Sequence, residues 1–188
     1  SVLALNFADP VLRRLAAALV YPLGFALCMM SGTQLFTEHT ALAVYPVLER
    51  RCSLRSLGRV WLTVLAGNLI GCALGAALLA AAEDVIGAGP GYAAVAEHLL
   101  GAGPVGALFS AILAGWLMAL GGWLILTTPP DASQIVVIYI VTFLIGFGGL
   151  HHSIAGTAEV LAALFTGAEI GPGAMGIMAV VVVGNLVG

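Results

Sequence analysis

Two clusters of ionisable side chains interrupt apolar stretches of this sequence. The first cluster, "GTQLFTEHT", carries Glu38 and His39. The second, "GLHHSIAGT", carries His151 and His152. Ionisable residues inside apolar segments face a protein interior or a cavity and are functional candidates. Because histidine changes its charge near neutral pH, these histidines could attract an anion or hand it a proton. A neutral histidine hydrogen-bonded to backbone stays an equal alternative for His39 and His151.

A short apolar half-segment follows each cluster, starting near Thr40 and Thr157. The first amides of a helix lack partners and carry the positive end of its dipole, so two such ends aimed at one cavity would favour an anion. We interpret Thr40 and Thr157 as the N-caps of these half-helices. Glu38 would either stabilise the adjacent helix start or face a vestibule and pair with His39. For Glu159 we favour an interaction with the helix dipole.

The composition places these clusters in a membrane protein. Of the 188 residues, 61% are hydrophobic and 8% charged, with a mean hydropathy of +1.12. Soluble domains carry about 25% charged residues, so the solvent of this chain must be a bilayer. The absence of lysine argues against nucleic-acid binding. The cysteines lack metal-ligand spacing, and no nucleophile–base pair is evident, so we expect no metal, no cofactor and no enzyme.

Seven apolar runs predict an all-α polytopic protein with a single transmembrane domain over residues 1–188. A helix needs about 20 apolar residues to cross a bilayer, and two segments reach that length only if their polar breaks are included. Both terminal helices look cut short, at "SVLALNF" and "VVVGNLVG". The runs are Leu15–Met30, Ala41–Leu48, Leu57–Ala82, Val105–Thr127, Ile135–Phe147, Ala158–Phe165 and Met175–Gly188.

The charges of the loops predict the orientation of the chain. The segment Arg50–Arg59 holds four of the six arginines, and the positive-inside rule places it in the cytoplasm. The loop around residues 83–103 has three acidic residues and no arginine, so we expect it outside, and "TTPPDASQ" inside again. Arg13 and Arg14 would lie outside against the rule, but they are fewer.

An internal repeat relates the two clusters. "GNLIG" at Gly67–Gly71 recurs as "GNLVG" at Gly184–Gly188, an offset of 184 − 67 = 117 residues. The same offset superimposes both polar breaks, which predicts repeats over about residues 1–82 and 103–188. Three crossings separate the broken spans, so the repeats would be inverted. Paired interrupted spans in such repeats point to a transport site near the membrane midplane.

Small and amide residues of the spans have structural interpretations. Asn68 and Asn185 recur at matched positions, and we favour hydrogen bonds across helices over a substrate role. We expect the span glycines to permit close helix approach. These glycines are Gly67, Gly71, Gly75, Gly115, Gly121, Gly122, Gly184 and Gly188.

With "LFT" in the first break, "HHSIA" in the second and a Gly-Asn-Leu-x-Gly motif after each, the chain resembles the formate/nitrite transporter family from about Ala16 to Gly188. The resemblance implies an aquaporin-like protomer of six helices, with the second and fifth broken, assembled as a pentamer with one pore per protomer. It also implies a missing first helix and a shortened sixth helix in this sequence.

The resemblance implies a central pair and two constrictions. In that family a threonine of the first break bonds the central histidine or the substrate, and these positions match Thr37 and His152. By position, the cytoplasmic constriction would be formed by Leu35, Phe36 and Phe25, and Tyr21 and Ile145 are weaker candidates for the outer one. Further polar residues that could face the pore are His151, Glu38, His39, Asn68 and Asn185.

The chain also departs from well-studied members. His151 stands where they have glutamate, Gly156 and Gly115 stand where asparagine is usual, and the lysine toward the outer mouth is absent. The resemblance is therefore to a poorly characterised branch of the family, and the substrate stays open.

The leading hypothesis is a transporter of the inner (plasma) membrane that passes small monovalent anions or their conjugate weak acids, of the formate, nitrite and hydrosulfide class. One alternative is a channel for a neutral or cationic small solute, which Glu38 and the absent lysine favour slightly. Another is a membrane scaffold that transports nothing. The expected partners are a small anion, membrane lipid and further copies of the chain.

Overall fold

The computed structural model describes residues 7–188, which form ten helices and no strand. The expectation drawn from "SVLALNF" falls mostly on residues 1–6, outside this range. The helices are α1 (Pro10–Met30), α2 (Phe36–Leu42), α3 (Tyr45–Leu48), α4 (Leu54–Ala81), α5 (Glu83–Ile86), α6 (Gly89–Gly101), α7 (Gly103–Thr127), α8 (Ala132–Gly148), α9 (Ser153–Phe165) and α10 (Ala174–Val187).

Three of the described helices, α1, α4 and α7, are long and apolar enough to cross a membrane. Helices α8 and α9 reach that length together and are bent by 55° at the break between them. Asp9 caps α1 by accepting from two of its first amides, at 2.7 and 3.1 Å, and Ser53 caps α4, as expected for N-cap residues. The prediction of an all-α polytopic membrane protein is confirmed.

The two breaks share one backbone geometry at positions 117 residues apart. Gly32 and Gly149 adopt left-handed backbone, with φ of 69° and 62°, which glycine does without strain. The residue after each glycine donates its amide to the carbonyl five residues earlier, at 3.2 Å in the first break and 3.0 Å in the second. This arrangement closes the carbonyl end of α1 and of α8.

The half-helices begin earlier than predicted. Their N-caps are Leu35 and His152, with φ/ψ of −103°/128° and −108°/126°. Thr40 and Thr157 lie inside α2 and α9, and their hydroxyls donate to carbonyls three and four residues earlier. The interpretation of these threonines as N-caps was therefore wrong, because the chain enters the helical conformation immediately after the extended residue.

The segment predicted as an outer loop is largely helical. Helix α6 packs through Ala96 and Leu99 against Val160 and Ala163 of α9. Its first turn is held by Glu83, whose Oε1 accepts from the Gly89 amide at 2.7 Å. The prediction missed α6 because its sequence begins with glycine and proline, residues typical of turns.

The span glycines divide into two sets. Helix α10 packs closely on α7, and a Cβ at Gly184 would lie 2.5 Å from the Cβ of Ala111. A Cβ at Gly115 would lie 2.7 Å from a backbone oxygen of α10. By contrast, a Cβ at Gly67, Gly71 or Gly75 of α4 would meet no described atom within 4 Å. A Cβ at Gly188 would also overlap the backbone of α7, and one at Gly121 would lie 3.1 Å from Val141. The prediction of close approach therefore holds for these four glycines and not, within residues 7–188, for the three on α4.

Candidate transport site

Thr37 and His152 meet in the interior, one from each break. The Thr37 Oγ1 lies 2.8 Å from the His152 Nε2. Their side chains are 0% and 2% exposed. They are 115 residues apart in the sequence, and only the folding of both breaks toward the centre brings them together.

The hydrogen bonds of His152 define which ring nitrogen carries the proton. Its Nδ1 accepts from the backbone amide of Ala155 at 3.2 Å, so the neutral ring carries its proton on Nε2. That N–H donates to the hydroxyl of Thr37, whose own hydrogen stays free to donate. The pair can therefore offer a hydroxyl donor to a small acceptor.

Apolar side chains enclose this pair. The rings of Phe25 and His152 pack edge to face, with centroids 5.0 Å apart at 82°. Phe25, Leu35 and Ile145 are buried and belong to the same core cluster. Four of the predicted constriction residues line the cavity that ends at His152, and they are Tyr21, Phe25, Leu35 and Ile145. Phe36 lies behind this wall, buried in the core.

The cavity has a volume of about 820 Å³, and its lining includes the buried His152 and charged side chains at the surface, whereas Thr37 lies behind His152 and does not line it. Arg13, Arg14 and His98 line its exposed end, and Glu159 contributes a carboxylate to its wall. Helix α6, which lines it, follows the C-terminal end of α4, whereas the segment Arg50–Arg59 adjoins the N-terminal end. A helix of 28 residues is about 42 Å long, so the cavity opens on the side away from those arginines.

Asn68 on α4 holds the first break. Its Oδ1 accepts from the Phe36 amide at 2.9 Å, and its Nδ2 donates to the Gln34 carbonyl at 2.9 Å. The side chain thus satisfies the first free amide of α2, a cap supplied by another helix.

Asn185 on α10 holds the second break in the same way. Its Oδ1 accepts from the Ser153 amide at 2.6 Å, and its Nδ2 donates to the His151 carbonyl at 3.0 Å. A third bond joins Nδ2 to the Ala111 carbonyl at 2.7 Å. Both asparagines, which are 117 residues apart, therefore bond the residues at matched positions of the two breaks.

His151 points away from the cavity. Its side chain is 4% exposed, and both ring nitrogens are bonded: Nδ1 to the Ser110 hydroxyl and Nε2 to the Leu99 carbonyl, each at 2.9 Å. Sequence reasoning found neither Ser110 nor Leu99, because a lone serine in an apolar helix and a carbonyl carry no pattern.

Glu38 and His39 lie on α2 outside the cavity wall. The Nδ1 of His39 donates to the Leu35 carbonyl at 3.1 Å, which is the backbone-bonded arrangement. The side chain of Glu38 packs against Gly122 of α7: its Cγ lies 3.4 Å from the position that a Cβ on this glycine would take. Neither side chain forms a hydrogen bond with Thr37 or His152 among the described residues. Within residues 7–188, no group of three or more His, Cys, Asp or Glu side chains is placed to hold a metal ion.

Long apolar helices, two matched breaks and a buried polar pair between them define a polytopic membrane protein with an interior site of the kind found in transporters. The sequence profile of the formate/nitrite transporter family matches residues 1–188, and the chain belongs to this family.

Three bacterial and archaeal membrane proteins are among the relatives that are similar to the chain. The inner membrane protein YfdC of Escherichia coli K12 is 32% identical over 164 residues, which cover 78% of this chain and 48% of the relative. A probable formate transporter of Methanothermobacter thermautotrophicus is 27% identical over 82% of this chain and 62% of its own length. The uncharacterized transporter YrhG of Bacillus subtilis 168 is 27% identical over 94% and 68%. The chain thus spans about half to two thirds of the length of these relatives.

Proposed function

We propose that the protein passes small monovalent anions, or their conjugate weak acids, through a pore in each protomer. The observation that carries the proposal is the buried Thr37–His152 pair, at which both broken helices meet. The neutral His152 ring orients the Thr37 hydroxyl, whose hydrogen is then available to a formate-sized acceptor. Membership of the formate/nitrite transporter family supports this class of substrate.

The apolar wall around the pair serves as the gate. Phe25, Leu35 and Ile145 are buried around His152, and a hydrated ion would lose its water among them at a large cost in free energy. A neutral weak acid loses less, so passage is coupled to protonation. Tyr21 lies next to these three side chains and lines the cavity. Phe36 lies behind them in the core.

The pathway follows an inverted repeat across the inner membrane. The matched bonds of Asn68 and Asn185 and the matched glycines of the breaks support the repeat. In this orientation the segment Arg50–Arg59 is cytoplasmic, the cavity opens outside, and Arg13 and Arg14 at its mouth attract anions. Assembly as a pentamer remains part of the proposal by resemblance to the family.

Flux into proteoliposomes tests the proposal. We expect the wild-type protein to accelerate uptake of at least one of formate, nitrite, hydrosulfide or acetate above empty liposomes, and more strongly at pH 5.5 than at about pH 7.5 by the weak-acid argument. We expect His152→Ala to lower that flux. Uptake equal to empty liposomes for every anion would exclude the proposal and favour a scaffold.

A channel for a neutral or cationic solute is the second candidate. It is favoured by Glu159, the single carboxylate among the described residues that line the cavity. Reversal potentials in asymmetric salt separate the two: a potential that follows the cation gradient supports this candidate, and one that follows the anion gradient supports the leading proposal.

A further inference from the structure

His151 is tied to three neighbouring helices. Its backbone amide donates to the Ser110 hydroxyl oxygen on α7 at 3.0 Å, and the same oxygen lies 2.9 Å from its Nδ1. Its Nε2 lies 2.9 Å from the Leu99 carbonyl on α6, and its own carbonyl accepts from Asn185 on α10. The residue is therefore held in one orientation by partners outside its own loop.

These partners define the protons of the neutral ring. A carbonyl only accepts, so Nε2 carries the hydrogen that binds Leu99. The Nδ1 must then accept, and the Ser110 hydroxyl donates its hydrogen to it. The Ser110 oxygen meanwhile accepts from the His151 amide with one of its two lone pairs, so every group in this unit is satisfied.

A second proton fits His151 without loss of a hydrogen bond. The new N–H at Nδ1 would donate to the remaining lone pair of Ser110, and the serine hydrogen would rotate toward another acceptor, such as a carbonyl of the preceding turn of α7. A hydroxyl can reverse its role in this way because it is both donor and acceptor.

His152 has no such freedom. The partner of its Nδ1 is the Ala155 amide, which can only donate. A proton at Nδ1 would face that N–H, break the cap of α9 and place a charge among apolar side chains. The two adjacent histidines therefore differ in which of them can accept a proton without rearrangement of the backbone.

We propose that the proton linked to substrate passage is bound by His151 against Ser110, while His152 stays neutral and binds Thr37. This inference rests on the proposed function. The proton comes from water and returns to water, and no bond to the substrate is formed. A cationic His151 behind the central pair offsets the charge of an anion at Thr37.

Other titratable groups surround this unit. The titratable residues of α6, the helix that carries Leu99, are Tyr92, Glu97 and His98, and the His98 Nε2 lies 2.9 Å from the position of a Cβ at Gly149. His152 is the next residue of the chain, and α9 carries Glu159, which lines the cavity together with His152. Helices α7 and α10 carry no ionisable residue. The His98→Gln and Glu159→Gln variants therefore belong in the test.

The pH dependence of flux through proteoliposomes tests the inference, with Ser110→Ala as the key variant. The Ser110 hydroxyl makes a charge-assisted bond to the cationic His151 ring and a weaker bond to the neutral ring. Because its loss destabilises the cation more than the neutral ring, we expect the midpoint of the flux–pH curve to move to lower pH by about one unit. Ser110→Thr keeps the hydroxyl and should restore the midpoint. Ser153→Ala, which removes a buried hydroxyl that has no partner among the described residues, is the matched control and should leave it in place.

Ring ¹⁵N NMR in a His39→Gln/His98→Gln background leaves only the two adjacent histidines and needs no flux. We expect the His151 ring to titrate and the His152 ring to keep its Nε2–H form. The inference is overturned if the His152 ring titrates or if neither ring does. It is also overturned if Ser110→Ala leaves the midpoint of the flux–pH curve in place while Glu159→Gln moves it. A wild type without anion flux would overturn the proposed function, whereas a wild type that passes an anion but whose His151 ring does not titrate would overturn this inference alone.

Discussion

At the residue scale, the hydroxyl of Thr37 accepts from His152, and the proposed function assigns its own hydrogen to the substrate. Thr37→Val preserves the shape and removes the hydroxyl. The buried Nε2–H is then unpaired, which costs about 1–3 kcal/mol, so we expect lower thermal stability and a loss of anion flux. Thr37→Ser should retain both. Flux and thermal unfolding of the three proteins check this, and a fully active valine variant would contradict it.

A second residue-scale prediction concerns Asp131, which precedes α8. The Ser133 amide, which donates to its Oδ1 at 2.7 Å, lowers the pKa of this carboxyl. Because the folded pKa lies below the unfolded one, the stabilisation is complete above the unfolded pKa and is lost as the pH falls through the folded pKa.

We therefore expect Asp131→Ala to lower the melting temperature at neutral pH and to match the wild type once the pH is below the lowered pKa. Asp84→Ala, at an exposed carboxylate, is the control. A difference that persists unchanged into acid would show that the carboxylate charge is not the cause.

At the element scale, the half-helices depend on asparagines that come from other helices. Asn185 makes three bonds and is fully buried, whereas Asn68 makes two and is partly exposed. At about 1 kcal/mol for each bond, Asn185→Ala should cost roughly 3 kcal/mol and Asn68→Ala roughly 2. Unfolding in a denaturing detergent series measures both, and equal or negligible costs would contradict the capping role.

The same asparagines illustrate which features of the fold could be predicted from the sequence and which could not. The long spans were predicted closely: Leu57–Ala82 is observed as Leu54–Ala81, because continuous apolar runs define such helices. The N-caps of α2 and α9 were misplaced by five residues, because a local threonine resembles a cap and the true partner lies 32 residues away. The Thr37–His152 pairing was expected only through the family resemblance, and the Ser110–His151 bond was not expected at all.

Matched glycines offer a second element-scale test. A Cβ at Gly184 would overlap Ala111, whereas one at Gly67, its counterpart 117 residues earlier, meets no described atom. We expect Gly184→Ala to destabilise the fold by about 1–3 kcal/mol and Gly67→Ala to be neutral or stabilising by up to about 1 kcal/mol. A destabilising Gly67→Ala would instead show that this face of α4 packs against chain outside residues 7–188.

At the scale of the whole molecule, orientation decides which end of the pathway is outside. Helix α4 separates two ends of unlike charge, with the arginine-rich segment Arg50–Arg59 before it and the acidic residues Glu83 and Asp84 after it. Because basic loops are retained in the cytoplasm, the cavity mouth that Arg13 and Arg14 line would face outward.

A native cysteine reports this orientation. Cys52 is exposed within the arginine-rich segment, whereas Cys28 is partly buried and Cys72 is buried. Because Cys28 lines the cavity, the test uses a Cys28→Ser background, in which a membrane-impermeant maleimide should label inside-out vesicles and not right-side-out ones, and a further Cys52→Ser change should abolish the labelling. Glu97→Cys in that background places an exposed thiol on α6 and should reverse the pattern. Labelling of Cys52 from the outside would invert the proposed pathway and put the arginine-lined mouth in the cytoplasm.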